Sequence, residues 1–196
     1  MTKAVDYPNW FKLYADQYFT KHLTPFAGKP DLRFLQIGAY TGDATVWLLD
    51  NILTGDGSVL VDVDTWRGSD EEIHGTFDWA DVERLYAERT AGARLGLRLH
   101  KHRCTSAEYL TGYCGPPFDF IYVDGAHDAY TVLNDGVSAF RVLKPGGLLA
   151  FDDYEWHSGK GDPHDPGIAI DAIGACYQGR LELIDLGAQA WFRRVA

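Results

Sequence analysis

Two aspartate-bearing segments are where this chain has the side chains to do chemistry. The apolar run FDFIYV (118–123) leads into Asp124-Gly125-Ala126-His127, and GLLAF (147–151) leads into Asp152-Asp153. If the two runs are neighbouring parallel strands, three carboxylates meet at one edge. Carboxylates that close raise one another's pKa and cannot all stay ionised without compensation. A hard divalent cation resolves the conflict, and an all-oxygen set favours Mg²⁺ over Zn²⁺. A helix cap or a water-facing carboxylate is the plainer alternative for Asp152 or Asp153. An ordinary imidazole titrates near neutrality, which makes His127 the preferred general base. His157 and His164, in WHSGKGDPHDPG, are its rivals.

A second constellation lies nearer the N-terminus. Gly38-Ala39-Tyr40-Thr41-Gly42 follows the apolar run LRFLQI (32–37). A dinucleotide fingerprint, GxGxxG, has its second glycine where the backbone approaches a pyrophosphate. Tyr40 stands at that place and obstructs the approach. Further on, VDVDT carries Asp64, 22 positions after Gly42. A carboxylate at such a strand end can accept both hydroxyls of a ribose. Asp62 alternates onto the same side but sits one layer deeper. The pattern describes a nucleoside crevice with no grip for a diphosphate.

These side chains need a scaffold that brings distant segments to one edge. Residues 32–37, Ser58–Val63, Leu95–His100, Phe118–Val123 and Gly147–Phe151 read as strands. Thr41–Leu53, Trp79–Thr90, a segment opening at Ser106–Leu110, and Tyr130–Val142 read as the helices between them. Strands alternating with helices predict βαβ units in a parallel sheet covered on both faces, doubly wound because crossovers are right-handed. Arg180–Leu186 and Gln189–Val195 flank Gly187-Ala188 and predict a closing antiparallel hairpin. Ahead of the sheet, residues 9–24 form an amphipathic helix ended by Pro25. Its aromatic face suits the sheet or a partner subunit, which leaves a homo-oligomer open. The chain reads as one domain, 1–196, with an N-terminal helical cap (1–30) and polar inserts at 67–92 and 154–167. Such inserts at a sheet edge act as lids or substrate walls. Of Trp66, Trp79 and Trp156, at most one is expected to touch substrate.

Composition removes several classes of function. With 18 Lys+Arg against 28 Asp+Glu, the net charge of −10 argues against wrapping a phosphate backbone, so nucleic acid is not an expected partner. The cluster Arg98, His100, Lys101, His102, Arg103 reads as a solvated strand end. Hydrophobic residues at 46% and charged residues at 23% exclude a mostly disordered chain. Cys104, Cys114 and Cys176 form no CxxC pair and cannot all pair with one another, which points to a reducing compartment. No signal-peptide stretch opens the chain and no run approaches the ~20 apolar residues of a membrane span. A soluble, cytoplasmic protein is expected.

Taken in order, QIGAYTGDAT, VDVDTW, DFIYVDGAH and VLKPGGLLAFDDY resemble the motifs of class I S-adenosylmethionine-dependent methyltransferases. Within that class they are similar to the metal-dependent small-molecule O-methyltransferases of the sugar and macrolide group. The resemblance spans roughly residues 32–195. It implies a Rossmann-like methyltransferase fold: an α/β, doubly wound, seven-stranded, mostly parallel sheet with the last strand antiparallel beside the fifth. Gly38, Ala39, Tyr40 and Gly42 are then implied on the methionine side of S-adenosylmethionine, with Asp64 and Thr65 at the ribose. Ser106 and Ala107 flank the adenine, and Asp124, Asp152 and Asp153 match the Mg²⁺ ligands. Asp124 also counts among the cofactor-side and catalytic residues, together with His127. Cys104 departs from a common glycine, and Asp153 stands where catechol-type members have Asn. The implied reaction is Mg²⁺-dependent O-methylation of a small-molecule acceptor. A nicotinamide-dependent oxidoreductase and a non-catalytic adenosine-binding protein are the alternatives.

Overall fold

Apolar runs long enough to be buried on both faces become the central strands of one sheet. In the computed structural model, which describes residues 7–69, 72–95, 98–157, 159 and 164–195, these are β1 (Arg33–Ile37), β2 (Val59–Asp64), β4 (Phe118–Val123) and β5 (Leu143–Phe151). The outer strands are β3 (Leu99–Arg103), β6 (Leu181–Leu186) and β7 (Ala190–Arg194). The seven strands lie in the order β3-β2-β1-β4-β5-β7-β6. Pairing is parallel from β3 to β5 and antiparallel for β5·β7 and β7·β6. The fold class expected from the sequence, closing hairpin included, is the observed one.

Helices cover both faces. On one side α1 (Asp16–Leu23), α2 (Asp43–Asn51) and α3 (Trp79–Arg89) bury Phe19, Leu48 and Tyr86 against Phe34, Leu60, Phe120 and Trp191. The other face packs α5 (Ser106–Thr111), α6 (Ala129–Val142) and α7 (Pro166–Cys176) through Leu110, Val132, Phe140 and Ile173. A short α4 (Ala91–Leu95) follows α3. Local chemistry sets the starts: Asp78 accepts from Ala80 and Asp81 N–H at α3, and Thr105 with Glu108 forms a capping box at α5. Asp128 accepts from Thr131 N–H (2.8 Å) at α6. The N-terminal helix covers the sheet: Phe19, fully buried, meets Phe120, Tyr122 and Trp191 edge-on. Burying such a ring contributes about 1.5–3 kcal/mol.

Several boundaries differ from expectation, each for a physical reason. The third strand starts at Leu99 rather than Leu95 because it is an edge strand, LHKHR, in which only Leu99 is buried. The amphipathic helix opens with a π-helical turn (Phe11–Ala15) and closes with a 3₁₀ turn (Thr24–Phe26) around Pro25. Helix α7 is not announced by periodicity, since Gly167 and Gly174 interrupt it. The basic cluster is not merely solvated: Lys101 pairs with Glu83 and lies 4.1 Å over the Trp66 ring, and Arg98 donates to the carbonyls of Leu49 and Leu53. Residues 1–6 of the expected cap, 70–71 and 158 and 160–163 of the inserts, and 96–97 of the expected third strand lie outside the described residues. No helix among the described residues is long and apolar enough to cross a membrane.

The functional edge is laced together by backbone hydrogen bonds just past the strand ends. Gly38 N–H donates to Val63 O (2.9 Å), Asp124 N–H to Ile37 O (2.8 Å), and Asp152 N–H to Val123 O (3.0 Å). The loop after β1 and the ends of β2, β4 and β5 therefore open at one rim. Gly38 is required there. Its φ is +87°, and a Cβ would sit 1.9 Å from the Asp124 carbonyl oxygen.

Candidate active site

A cavity of about 960 Å³ opens beyond the carboxyl ends of β1, β2 and β4, near the upper end of the range for small-molecule sites. Gly38, Asp64, Thr65, Ser106, Gly125 and His127 are among its walls. A smaller recess of about 110 Å³ adjoins it and shares Gly38, Asp64, Thr65, Gly125 and His127. Ala39, Tyr40 and Asp124 line that recess. Gly42 lines neither; its positive φ (+85°) opens α2 against Tyr86. Ala107 is exposed on α5 and is absent from both walls, so the implied adenine contact rests on its neighbour Ser106.

At the β1/β2 side the carboxylate of Asp64 is answered by backbone. Its Oδ2 accepts from Ala39 N–H (2.7 Å) and Tyr40 N–H (2.9 Å), and its Oδ1 from Trp66 N–H (2.7 Å). The same carboxylate that lines the cavity thus fixes the loop after β1. Tyr40 takes a left-handed φ of 48° and turns its ring onto Trp10, 4.7 Å away. Trp66 is 1% exposed, packed on Tyr86 and donating to Tyr40 O, which removes it from the stacking candidates. Trp79 lines the recess, and Trp156 lines the cavity with its ring 5.3 Å from that of His127.

The β4/β5 side is built differently. One donor atom each from Asp124, His127 and Asp153 lies within 4.8 Å of the others. His127 Nε2 is 2.9 Å from Asp153 Oδ2. Asp153 holds a left-handed φ of 58°, a conformation Asp tolerates better than most residues. Burial, then the Asp152 and Asp153 carboxylates, push the Asp124 carboxyl well above the ordinary range. Of the expected carboxylate trio, Asp124 and Asp153 belong to this close set and Asp152 does not. Its carboxylate is engaged by neighbouring donors, Tyr122 OH to Oδ2 (2.7 Å) and Gln189 Nε2 to Oδ1 (3.0 Å), while its charge still bears on Asp124. Trp191 Nε1–H donates to Gln189 Oε1 (2.9 Å), tying Asp152 to the hairpin strand β7. Burial, then Asp153, raise the Asp152 pKa to about 6. His127 takes its place among the close donors.

Sequence reasoning missed Asp135. On α6 and 1% exposed, it accepts from Ser106 Oγ (2.6 Å) and lines the cavity beside it. Burial raises its pKa to about 6. Its helical position, buried one turn after Thr131, was the only available signal. Of the rival bases, His157 pairs with Asp165 (3.0 Å), and His164 lines the same cavity as His127. All three cysteines are free thiols, and Cys104 lies in the cavity wall.

Residues 35–154 match the model of a family described as a methyltransferase domain. Among solved structures, an O-methyltransferase from Bacillus cereus in complex with SAH superposes with a TM-score of 0.63 at 17% identity, covering 98% of this chain and 83% of that one. The O-methyltransferase TomG of Streptomyces achromogenes, involved in tomaymycin synthesis and solved with SAM, gives 0.62 at 17% identity, covering 100% and 84%. The N-methyltransferase NodS of Bradyrhizobium japonicum, with S-adenosyl-l-homocysteine, gives 0.64 at 17% identity, covering 97% and 93%. At such identities the likeness is one of fold. No curated protein matches the chain.

Proposed function

The chain belongs to the methyltransferase domain family, and we propose that it transfers a methyl group from S-adenosylmethionine to a hydroxyl oxygen of a small molecule with the help of a divalent cation. One observation carries the reading. A nucleoside-sized cavity walled by Gly38 and Asp64 adjoins three close donors from Asp124, His127 and Asp153. The donor set suits the group: burial and then the Asp152 and Asp153 charges raise the Asp124 pKa, and a cation held there would offset both. The walls suit the nucleoside, since Tyr40 lines the recess at the loop position where a glycine would let the backbone approach a diphosphate. That counts against a nicotinamide dinucleotide.

Asp64 and Thr65 would hold the ribose, Ser106 and Asp135 the adenine end, and Gly38, Ala39 and Tyr40 the methionine end. Asp124 and Asp153 would hold the cation, two carboxylates being the usual protein share for Mg²⁺. Bound there, it supplies a Lewis acid that lowers the pKa of a coordinated hydroxyl and fixes its position, beside a cofactor whose methyl is already activated. His127 is the general base. Asp153 Oδ2, 2.9 Å from Nε2, holds the ring in place. Asp152 acts through Tyr122 and Gln189 as a positioning residue for the β5 end. Orientation is worth up to about 7–11 kcal/mol in well-aligned cases, whereas a base contributes about 10²–10⁴-fold, so positioning dominates.

Thermal shift and labelled methyl transfer test this together. S-adenosylhomocysteine is expected to stabilise the protein and NAD(H) not to. Transfer is expected to be lost in EDTA and restored by Mg²⁺ or Mn²⁺. Stabilisation by NAD(H) alone overturns the cofactor, and full turnover in EDTA overturns the cation and favours a nitrogen acceptor.

A further inference from the structure

The wall around His127 has a charge that says which acceptors it admits. Glu72, Asp128, Asp64 and Asp135 line the large cavity together with His127. No Lys or Arg among the described residues shares that wall. Of the described basic side chains near the rim, Arg89 pairs with Asp43 (2.9 Å), and Lys101 and Arg103 pair with Glu83. Arg103 also donates to Thr65 O (3.4 Å), and Arg67, exposed between Thr65 and Gly68, is not among the lining residues. Hydrogen bonds from Thr131 N–H to Asp128 and from Ser106 to Asp135 order these carboxylates without cancelling their charge. The mouth is apolar and aromatic. Ile73 is 46% exposed, Tyr130 82% exposed, and Trp156 stands against His127. Aromatic faces attract cations, a low-dielectric cleft lined by one sign of charge focuses its field, and like charges brought into it are rejected.

We propose that the cavity selects its acceptor by charge, taking a hydroxylated ring compound that carries a protonated amine and excluding carboxylates and phosphates. This rests on the methyltransferase reading above and deepens it. Glu72 is the specificity-determining carboxylate, exposed at the mouth and assigned to neither cofactor nor cation. The chain's net charge of −10 adds to the same preference at longer range.

The test uses two matched probes, 4-(aminomethyl)benzene-1,2-diol and 3,4-dihydroxyphenylacetate, titrated calorimetrically into protein loaded with S-adenosylhomocysteine and Mg²⁺. The amine is expected to bind at least about tenfold more tightly, the gap shrinking with added NaCl and in Glu72→Gln. A carboxylate that binds equally or more tightly overturns the proposal. A second measurement needs no acceptor. The fluorescence of Trp156, isolated as the difference between the native protein and Trp156→Phe, is quenched by caesium or by iodide. Stronger quenching by caesium supports the proposal and stronger quenching by iodide overturns it, and this contrast decides if neither diol binds. Failure of the methyltransferase reading shows separately, as no stabilisation by S-adenosylhomocysteine, and leaves the quenching contrast readable.

Discussion

The two halves of the functional rim treat their carboxylates in opposite ways. At the end of β2, Asp64 is held by three backbone N–H groups at 2.7–2.9 Å. At the ends of β4 and β5, Asp124 is crowded by Asp152 and Asp153, and its pKa is driven upward by burial and by their charge. The first half is finished before any ligand arrives: its anion is solvated by fixed dipoles, which suits recognition of neutral hydroxyls. The second stores repulsion that a cation would release. Asp152, one residue from Asp153, shows how narrow the distinction is, because Tyr122 and Gln189 donate to it while its charge still bears on Asp124.

The strongest way to break this comparison is Asp124→Asn. Turnover is expected to fall by more than about 100-fold with loss of Mg²⁺ binding by calorimetry, while S-adenosylhomocysteine affinity holds. In EDTA the variant is expected to melt above the native protein, since a repelled charge is gone; a lower melting temperature contradicts the stored repulsion. Asp62→Asn probes the buried layer beneath Asp64. Asp62 is fully buried, accepts from Thr45 and Tyr86 through Oδ2, has no donor to Oδ1 among the described residues, and its pKa is raised by burial to about 7. A carboxyl raised in the folded state contributes stability that is complete below its unfolded pKa of ~3.8 and is lost as pH rises through about 7. The Asn variant should therefore gain on the native protein from pH 4 to 8, by roughly 2–4 kcal/mol at the upper end. Parallel melting curves across that range would show that Asp62 does not titrate there. The smallest effect sharpens the finished half: Asp64→Ala leaves three N–H groups without their acceptor, and about 1–2 kcal/mol of stability should go, along with tight S-adenosylhomocysteine binding. Unchanged affinity would remove Asp64 from the ribose.

Much of the rim was legible in the chain because strand ends are marked by where apolar runs stop. FDFIYV-D, GLLAF-DD and VDV-D each locate a carboxylate at the carboxyl end of a strand, and parallel winding brings such ends to one side. The rest was not legible. Asp152 and Asp153 are identical neighbours in sequence, and only the arrival of Gln189 from the far end of the chain separates their roles. Asp135 carries no motif, and its place depends on α6 lying against the start of α5. Trp66 reads as a stacking candidate until Tyr86 and Lys101 enclose it.

Local order along the chain was enough to determine the alternation of strands and helices, the doubly wound class and the edge at which chemistry gathers, because apolar periodicity and turn residues act within a few positions. Which carboxylates face one another, which are silenced by a hydroxyl or an amide, and how acidic the cavity wall becomes were decided only in three dimensions. Those properties are sums over groups far apart in sequence, and charge interactions within ~4–6 Å outweigh anything the neighbouring residues can specify.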